Sequence, residues 1–418
     1  MKKPANRIVI AALGMLVLLS CGLIESWSVI ARPISAEFPQ WNATQMSTTF
    51  TITMFCFCIG GMSGGWIMRK FSSRKILWFC AVLYAAGFMI AASMQNLVML
   101  YIGFGLLTGY ASGLAYTVAL TSVVPWFPEK NGLITGTLTM CFGLGIFFTG
   151  KIFAAVMPVD GTPAWRSAFR GAALIMFLIL VTAGIFIRRP REEEIREQAA
   201  KAGKPVVRRY YEDVPTGEMI KRSSFWLFIL WTIAMAGVNV TVLSQASNVV
   251  VEAAPTLAQG TVATIIGIQA IINGIGRLPY GVLFDKIGRL KCMVLDVLIF
   301  SGGMGLLLAA IKTHTVWLLI PGFFLSGLAS GWMPTTIACY AHLFYGEKYY
   351  PTNYSIINTN LLVSSFAGML AGAVYDASGT YAGSLLLALG YLAVALVLCF
   401  AIREPSCGFV DEREEEKA

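Results

Sequence analysis

Apolar runs about twenty residues long recur along the chain, each closed by a short polar or charged stretch. The pattern predicts helices near 8–31, 46–68, 76–94, 98–124, 132–157 and 170–187, then near 225–250, 261–284, 292–310, 315–343, 353–375 and 380–402. A hydrocarbon core about 30 Å thick takes roughly twenty helical residues to cross, so each run is long enough to span a bilayer. The long hydrophilic stretch 188–222 divides the runs six and six. The expectation is an all-α membrane protein of twelve transmembrane helices in two pseudo-symmetric six-helix bundles. Residues 1–187 and 223–402 would form the bundles, 188–222 a linker and 403–418 an acidic tail.

Composition agrees with a bilayer as solvent. Of 418 residues 57% are hydrophobic and 13% charged, where a soluble domain carries about 25% charged residues. The mean hydropathy is +0.70. Nine cysteines sit mostly singly in apolar runs, without metal-ligand or disulfide-framework spacing. Lys2, Lys3 and Arg7 before the first run mimic a signal peptide, but the run is long and lacks an early small-x-small cleavage site, which favours a retained first helix.

Charge sets the orientation. Of 31 lysines and arginines, 25 fall in the termini, the linker and the alternate loops of one side, and five (Arg32, Lys151, Arg166, Arg170, Lys312) lie towards the other. The remaining one is Arg277. The positive-inside rule then places both termini in the cytoplasm, and a multi-pass protein of a bacterial cytoplasmic membrane is expected. The net charge of +9 faces anionic lipid. The basic linker lacks the aromatic residues and fold of a nucleic-acid site. No nucleophile–base pair, metal set or cofactor motif is present, so neither an enzyme nor a cofactor protein is expected. A monomer is.

The halves echo each other. "GWIMRKFSSRK" at 65–75 and "GVLFDKIGRLK" at 281–291 each follow the second helix of their half, 216 residues apart. The pattern predicts a tight glycine contact and a charge cluster at each inner helix end, as a gate between rocking halves requires, and two such fused units read as a secondary transporter. The first copy is degenerate, with Arg69 opposite Asp285 and Ser72 opposite Gly288.

On these residues the chain resembles the major facilitator superfamily, whose loop motif is matched in full by Gly281, Asp285, Lys286, Gly288 and Arg289. Within it the sequence is similar to the oxalate:formate antiporter family and its bacterial monocarboxylate-transporter relatives. The likeness is carried by "ESWSVIARPI" at 25–34, "YASGLAYTVALTSVVPWFPEKNG" at 110–132, "GTLTMCFGLG" at 136–145, "AWRSAF" at 164–169 and "NGIGRLPYGVLFDKIGR" at 273–289. It implies the major facilitator fold.

Arg277 is the sharpest anomaly. A guanidinium at the bilayer centre costs roughly 2.5–3.5 kcal/mol even on insertion scales and cannot shed its proton. It lies eight residues before Asp285, about 12 Å along a helix, too deep for easy snorkelling. Its planar fork suits a carboxylate; the bland alternative is a buried ion pair with Glu25 or Asp296. The family resemblance also implies a carboxylate-binding arginine at this position. In the eleventh run, where the family's dicarboxylate exchanger is expected to use a lysine, "TNYSIINTNLLVSSFAG" at 352–368 has no cation. One central cation suits a monocarboxylate such as lactate or pyruvate.

Glu25 is open to three readings: a proton carrier or counter-ion of Arg277, a contact for a substrate ammonium group, or a wet edge residue. Lys151 is expected to snorkel outwards, and Asp296 to be shallow or packed against the charge cluster. The resemblance favours Tyr116 as a pocket hydroxyl, with Asn358 in the eleventh helix. Gln245, Asn248 and Trp332 are candidate wall residues.

Together these predict alternating access for a small monocarboxylate, coupled to a proton. The alternatives are anion exchange of the oxalate:formate type and transport of an amino acid or other zwitterion. A transporter-like receptor is a further class, disfavoured because the linker is too short for a signalling domain.

Overall fold

The computed structural model describes residues 7–127, 131–190, 213–346 and 349–403. Among the described residues, twelve long helical spans account for nearly the whole chain. They are α1 (Arg7–Glu37), α2 (Ala43–Lys70), α3 (Ser73–Ala92), α4 (Leu97–Trp126), α5 (Asn131–Val156), α6 (Ala164–Phe186), α7 (Ser223–Ala253), α8 (Gln259–Ile287), α9 (Arg289–Thr313), α10 (Val316–Tyr345), α11 (350–378) and α12 (Ala382–Ala401). Eleven contain a stretch long and apolar enough to cross a membrane, and α8, with 29 residues, is the twelfth. Most of the expected linker and almost all of the acidic tail lie outside the described residues.

Each set of six helices surrounds its own apolar core. Trp27, Tyr84, Phe88, Phe104, Trp165 and Phe169 anchor the first; Phe228, Trp231, Met293, Phe300, Phe323 and Tyr340 anchor the second. Few side chains cross over: Val240, Leu243, Ala270 and Ala367 join the first core and Val29 the second. Outward faces carry large exposed apolar side chains such as Phe79, Val82, Leu174, Leu178, Leu298, Val394 and Val397. Such surface is stable against lipid and not against water.

Three spans depart from a plain α-helix in their interiors. α1 contains a 3-10 stretch at Gly22–Ser26, and α4 a π-helical one at Tyr101–Thr108. α11 comes as three pieces, Tyr350–Ile357, Asn360–Ser364 and Phe366–Ser378. Irregular backbone inside a membrane is tolerated where protein or a cavity satisfies it. α6 starts at Ala164, six residues before the expected boundary, because Trp165 and Arg166 are held by Glu37: Trp165 Nε1 donates to Oε2 at 2.5 Å and Arg166 Nη2 to Oε1 at 3.0 Å.

The repeated inner-end motif has two different outcomes. Gly288 joins α8 to α9 at φ +80°, a backbone region that strongly favours glycine, whereas Ser72 takes ordinary extended backbone at φ −70°. The tight glycine contact expected at Gly65 is absent, since a Cβ there would meet nothing within 4 Å. The close crossings lie deeper. A Cβ on Gly113 of α4 would sit 1.8 Å from Phe57 O of α2, and one on Gly145 of α5 2.1 Å from Leu19 O of α1. Backbones approach this closely only at small residues.

Gly113→Ala should therefore cost about 1–3 kcal/mol and lower the thermal-unfolding midpoint in detergent. Gly65→Ala should leave it unchanged or raise it. Equal midpoints for the two variants would contradict the close α2–α4 crossing.

Candidate functional site

Mid-depth in α8, Arg277 Nη2 donates to Asn273 Oδ1 one turn earlier, at 2.6 Å. Its Nε has no hydrogen-bond partner among the described residues. No carboxylate of the described residues is found within 4 Å of it; Glu37, for one, pairs with Arg166 at 3.0 Å. Arg277 thus has one neutral partner and donors to spare.

The helix interruptions bring polar groups from both halves towards it. Glu25 sits on the 3-10 stretch of α1, which lies against α5 because Gly22 and Gly145 allow the backbones to touch. Ser26 fixes that turn by hydrogen bonds to Thr149 Oγ1 at 2.7 Å and Ile146 O at 3.2 Å. Tyr116 of α4 feels the charges of Arg277 and Glu25 and the hydroxyl of Tyr354 on α11. Glu25 and Arg277 act on each other across the gap without direct contact. Asn358 lies at the break in α11, one turn after Tyr354. All six of these polar side chains (Glu25, Tyr116, Asn273, Arg277, Tyr354, Asn358) are half-buried although they lie within membrane spans, which marks a chamber between the halves. Aromatic rings line one side: Tyr116 meets Phe142 at 5.2 Å and Phe57 at 5.8 Å between centroids.

Other expected residues go elsewhere. Gln245 is buried and donates to Ser47 Oγ of α2 at 2.7 Å, while Asn248 donates to Gln245 at 3.0 Å; these lie nearer the outer face, opposite the face that carries Arg7 and Arg403. Trp332 is turned away from open space: its indole N–H donates to Gly276 O at 3.0 Å and its ring stacks on Tyr280 at 4.6 Å. It braces α8 beside Arg277. Tyr110 pairs with Ser63 at 3.0 Å. Asp296 is not paired with Arg277; it is fully buried seven residues into α9, with no hydrogen-bond partner for either oxygen among the described residues. Lys151 reaches outwards and across to the first turns of α8, donating to Gly260 O at 2.9 Å and to the Thr264 hydroxyl. Of the loop motif, Arg289 is buried and donates to Ile402 O at 3.0 Å and Cys399 O at 3.4 Å, closing the end of α12. Lys286 is exposed, and the Gly281 and Asp285 positions lie outside the described side chains.

The halves are joined on the outer side of the chamber. Asp376 of α11 accepts hydrogen bonds from Ala43 N at 3.0 Å, Thr44 N at 2.9 Å and the Thr44 hydroxyl. Gln45 N is met by the Asn42 side chain at 2.8 Å in a capping box. Two of the otherwise orphaned first amides of α2, those of Ala43 and Thr44, are thus satisfied by the opposite half. The Lys151 and Gln245 links, and Thr51 Oγ1 to Ser365 O at 3.0 Å, continue the closure towards mid-depth.

Two six-helix sets closed against each other on one side of a polar mid-depth chamber define a membrane solute transporter working by alternating access. A sequence profile of the Major Facilitator Superfamily matches residues 10–254 and 252–417, and the chain belongs to that family. It is 30% identical over 285 residues to the oxalate:formate antiporter of Oxalobacter formigenes, covering 67% of this chain and 64% of that protein. It is 24% identical over 289 residues to the MFS-type transporter YhjX of Escherichia coli (strain K12), covering 69% of each. The chain thus spans about two thirds of the length of these relatives. A solved structure of the nucleoside transporter NupG superposes with a TM-score of 0.72 at 12% identity, over 95% of this chain and 99% of that one, a likeness of fold. The families and solved structures matched are transporters rather than enzymes.

Sequence reasoning missed Asn273, although it stands four residues before Arg277 on the same helix face. It also missed Tyr354 and the Asp376 cap, for which no local pattern gives a signal.

Removing the cap tests the closure. Asp376→Ala should lose the carboxylate at a helix N-terminus, an effect of about 0.3–1 kcal/mol, together with its hydrogen bonds. The population opened on the outer side should rise several-fold, read by electron–electron distance measurements between labels at the outer ends of α2 and α11. An unchanged distance distribution would assign the cap to stability alone.

Proposed function

We propose that this transporter carries small carboxylate anions, one negative charge at a time, by exchange across the membrane, with Arg277 as the carboxylate-binding group. One observation carries the reading: a mid-span guanidinium whose one partner among the described residues is a neutral amide and whose Nε meets no acceptor there. A substrate carboxylate supplies the missing acceptors and the missing charge. Tyr116 and Tyr354 offer hydroxyls to the second carboxylate oxygen or to a substrate hydroxyl. Phe57 and Phe142 suit a short apolar end.

Absence of a cation near Asn358 supports monocarboxylates over oxalate, because a second carboxylate in the chamber would have only neutral partners. Exchange is preferred to proton symport on the similarity to the oxalate:formate antiporter, whose name states that mode for that protein. Glu25 is then the internal counter-charge that holds Arg277 between substrates. The linker and both termini are assigned to the cytoplasm on the charge bias of the loops.

The test uses purified full-length protein in liposomes. Labelled L-lactate should enter only vesicles preloaded with a carboxylate, oxalate should compete poorly, and Arg277→Ala should reduce exchange about a hundredfold, the loss of a charge-assisted pair worth roughly 3 kcal/mol. Arg277→Lys should recover part of it. Proton-driven uptake into empty vesicles, lost in Glu25→Gln, would replace exchange by symport. Displacement of bound lactate by glycine would favour a zwitterion.

A further inference from the structure

Beyond the chamber, the outer closure leaves a partly open cavity of about 270 Å³, lined mainly by α1, α2 and α7 with Val159 and Tyr381. Arg32 of α1 lines it, seven residues past Glu25. Its Nη1 is buried without a hydrogen-bond partner, and among the described residues Arg32 has neither an ion pair nor a ring beneath it. The acids on the outer side do not serve it. Glu37 holds Arg166 and Trp165, Glu252 accepts from Thr380 and from Tyr381 N at 2.7 Å, and Asp376 caps α2. Asp160 is bound by Thr162, which holds its carboxyl below the usual range. Every outer carboxylate has a partner, and the cation facing the cavity has none.

We propose that this cavity is a second anion site, an outer station that takes a small carboxylate on Arg32 before or after its residence on Arg277. The wall fits that ligand. A guanidinium with free donors matches a carboxylate, the Trp27 and Trp41 rings border it, and the Ser47–Gln245–Asn248 chain supplies neutral polar groups. Those groups come from both halves, so the site is complete only while the outer side is closed. Opening that side separates α2 from α7 and exposes Arg32 to incoming solute. The inference rests on the anion reading of the transporter for its ligand class and on Arg32 for its place.

Its test separates the two sites. Full-length protein in lipid nanodiscs, carrying Arg277→Ala, is titrated with sodium lactate at constant ionic strength while tryptophan fluorescence is followed. A saturable change should persist, shrink in Trp41→Phe and vanish when Arg32→Gln is added. In liposomes with Arg277 intact, Arg32→Gln should raise the outer lactate concentration for half-maximal exchange about five- to tenfold, the size expected for one charge-assisted contact. Its maximal exchange should stay within about twofold of wild type, and Arg32→Lys should recover most of the shift. No saturable change in Arg277→Ala, or one indifferent to Arg32→Gln, overturns the outer station. Unimpaired exchange by Arg277→Ala would instead overturn the central assignment, a different readout on a different variant.

Discussion

A guanidinium held within a membrane span, with a neutral amide as its hydrogen-bond partner, is the constraint around which the rest of the chain is arranged. An unneutralised charge at that depth is tolerable only in a polar, accessible space. The chain makes such a space by interrupting its helices: a 3-10 turn carries Glu25, and a broken α11 carries Tyr354 and Asn358. Asn273 steadies the fork from one side, and Trp332, locked to the backbone of Gly276, steadies the helix that bears it. Rigid support with unfilled donors is the arrangement a ligand completes.

Closure between the halves uses another chemistry. It relies on helix-end amides and carbonyls, met by Asp376, Lys151 and Thr51 from the opposite half, with Gln245 meeting a serine hydroxyl. Each such link gains little over water, since the same groups hydrogen-bond to solvent when the halves part. A closure made this way holds a state without trapping it. The apolar cores, by contrast, stay almost wholly within their own halves, so rocking leaves them intact.

Hydropathy alone made the span count, the even division and the depth of Arg277 legible, because each depends on run length and on a charge where none is cheap. The interruptions were not legible, since "CGLIES" and "YSIINTNLL" read as ordinary apolar helix and only packing against α5 or the chamber selects otherwise. Gln245 and Trp332 resemble pocket residues by type; which way a long helix turns them is a tertiary outcome. Gly65 shows the same limit. A repeated motif carried the chemistry of a tight turn, but only Gly288 occupies the positive-φ backbone that requires it. Arg32 looked like one more outer-side cation because nothing in the order of residues says which acids are already engaged.

The 3-10 stretch of α1 also gears two distant groups together. Five residues wound at about 2.0 Å and 120° each would, rewound as α-helix, shorten by roughly 2.5 Å and turn by about 100°. Glu25 rides on that thread and Arg32 lies beyond it. A screw motion there would swing the carboxylate around the axis while drawing the outer arginine inwards. The carboxylate of the central chamber is therefore mechanically tied to the arginine of the outer cavity.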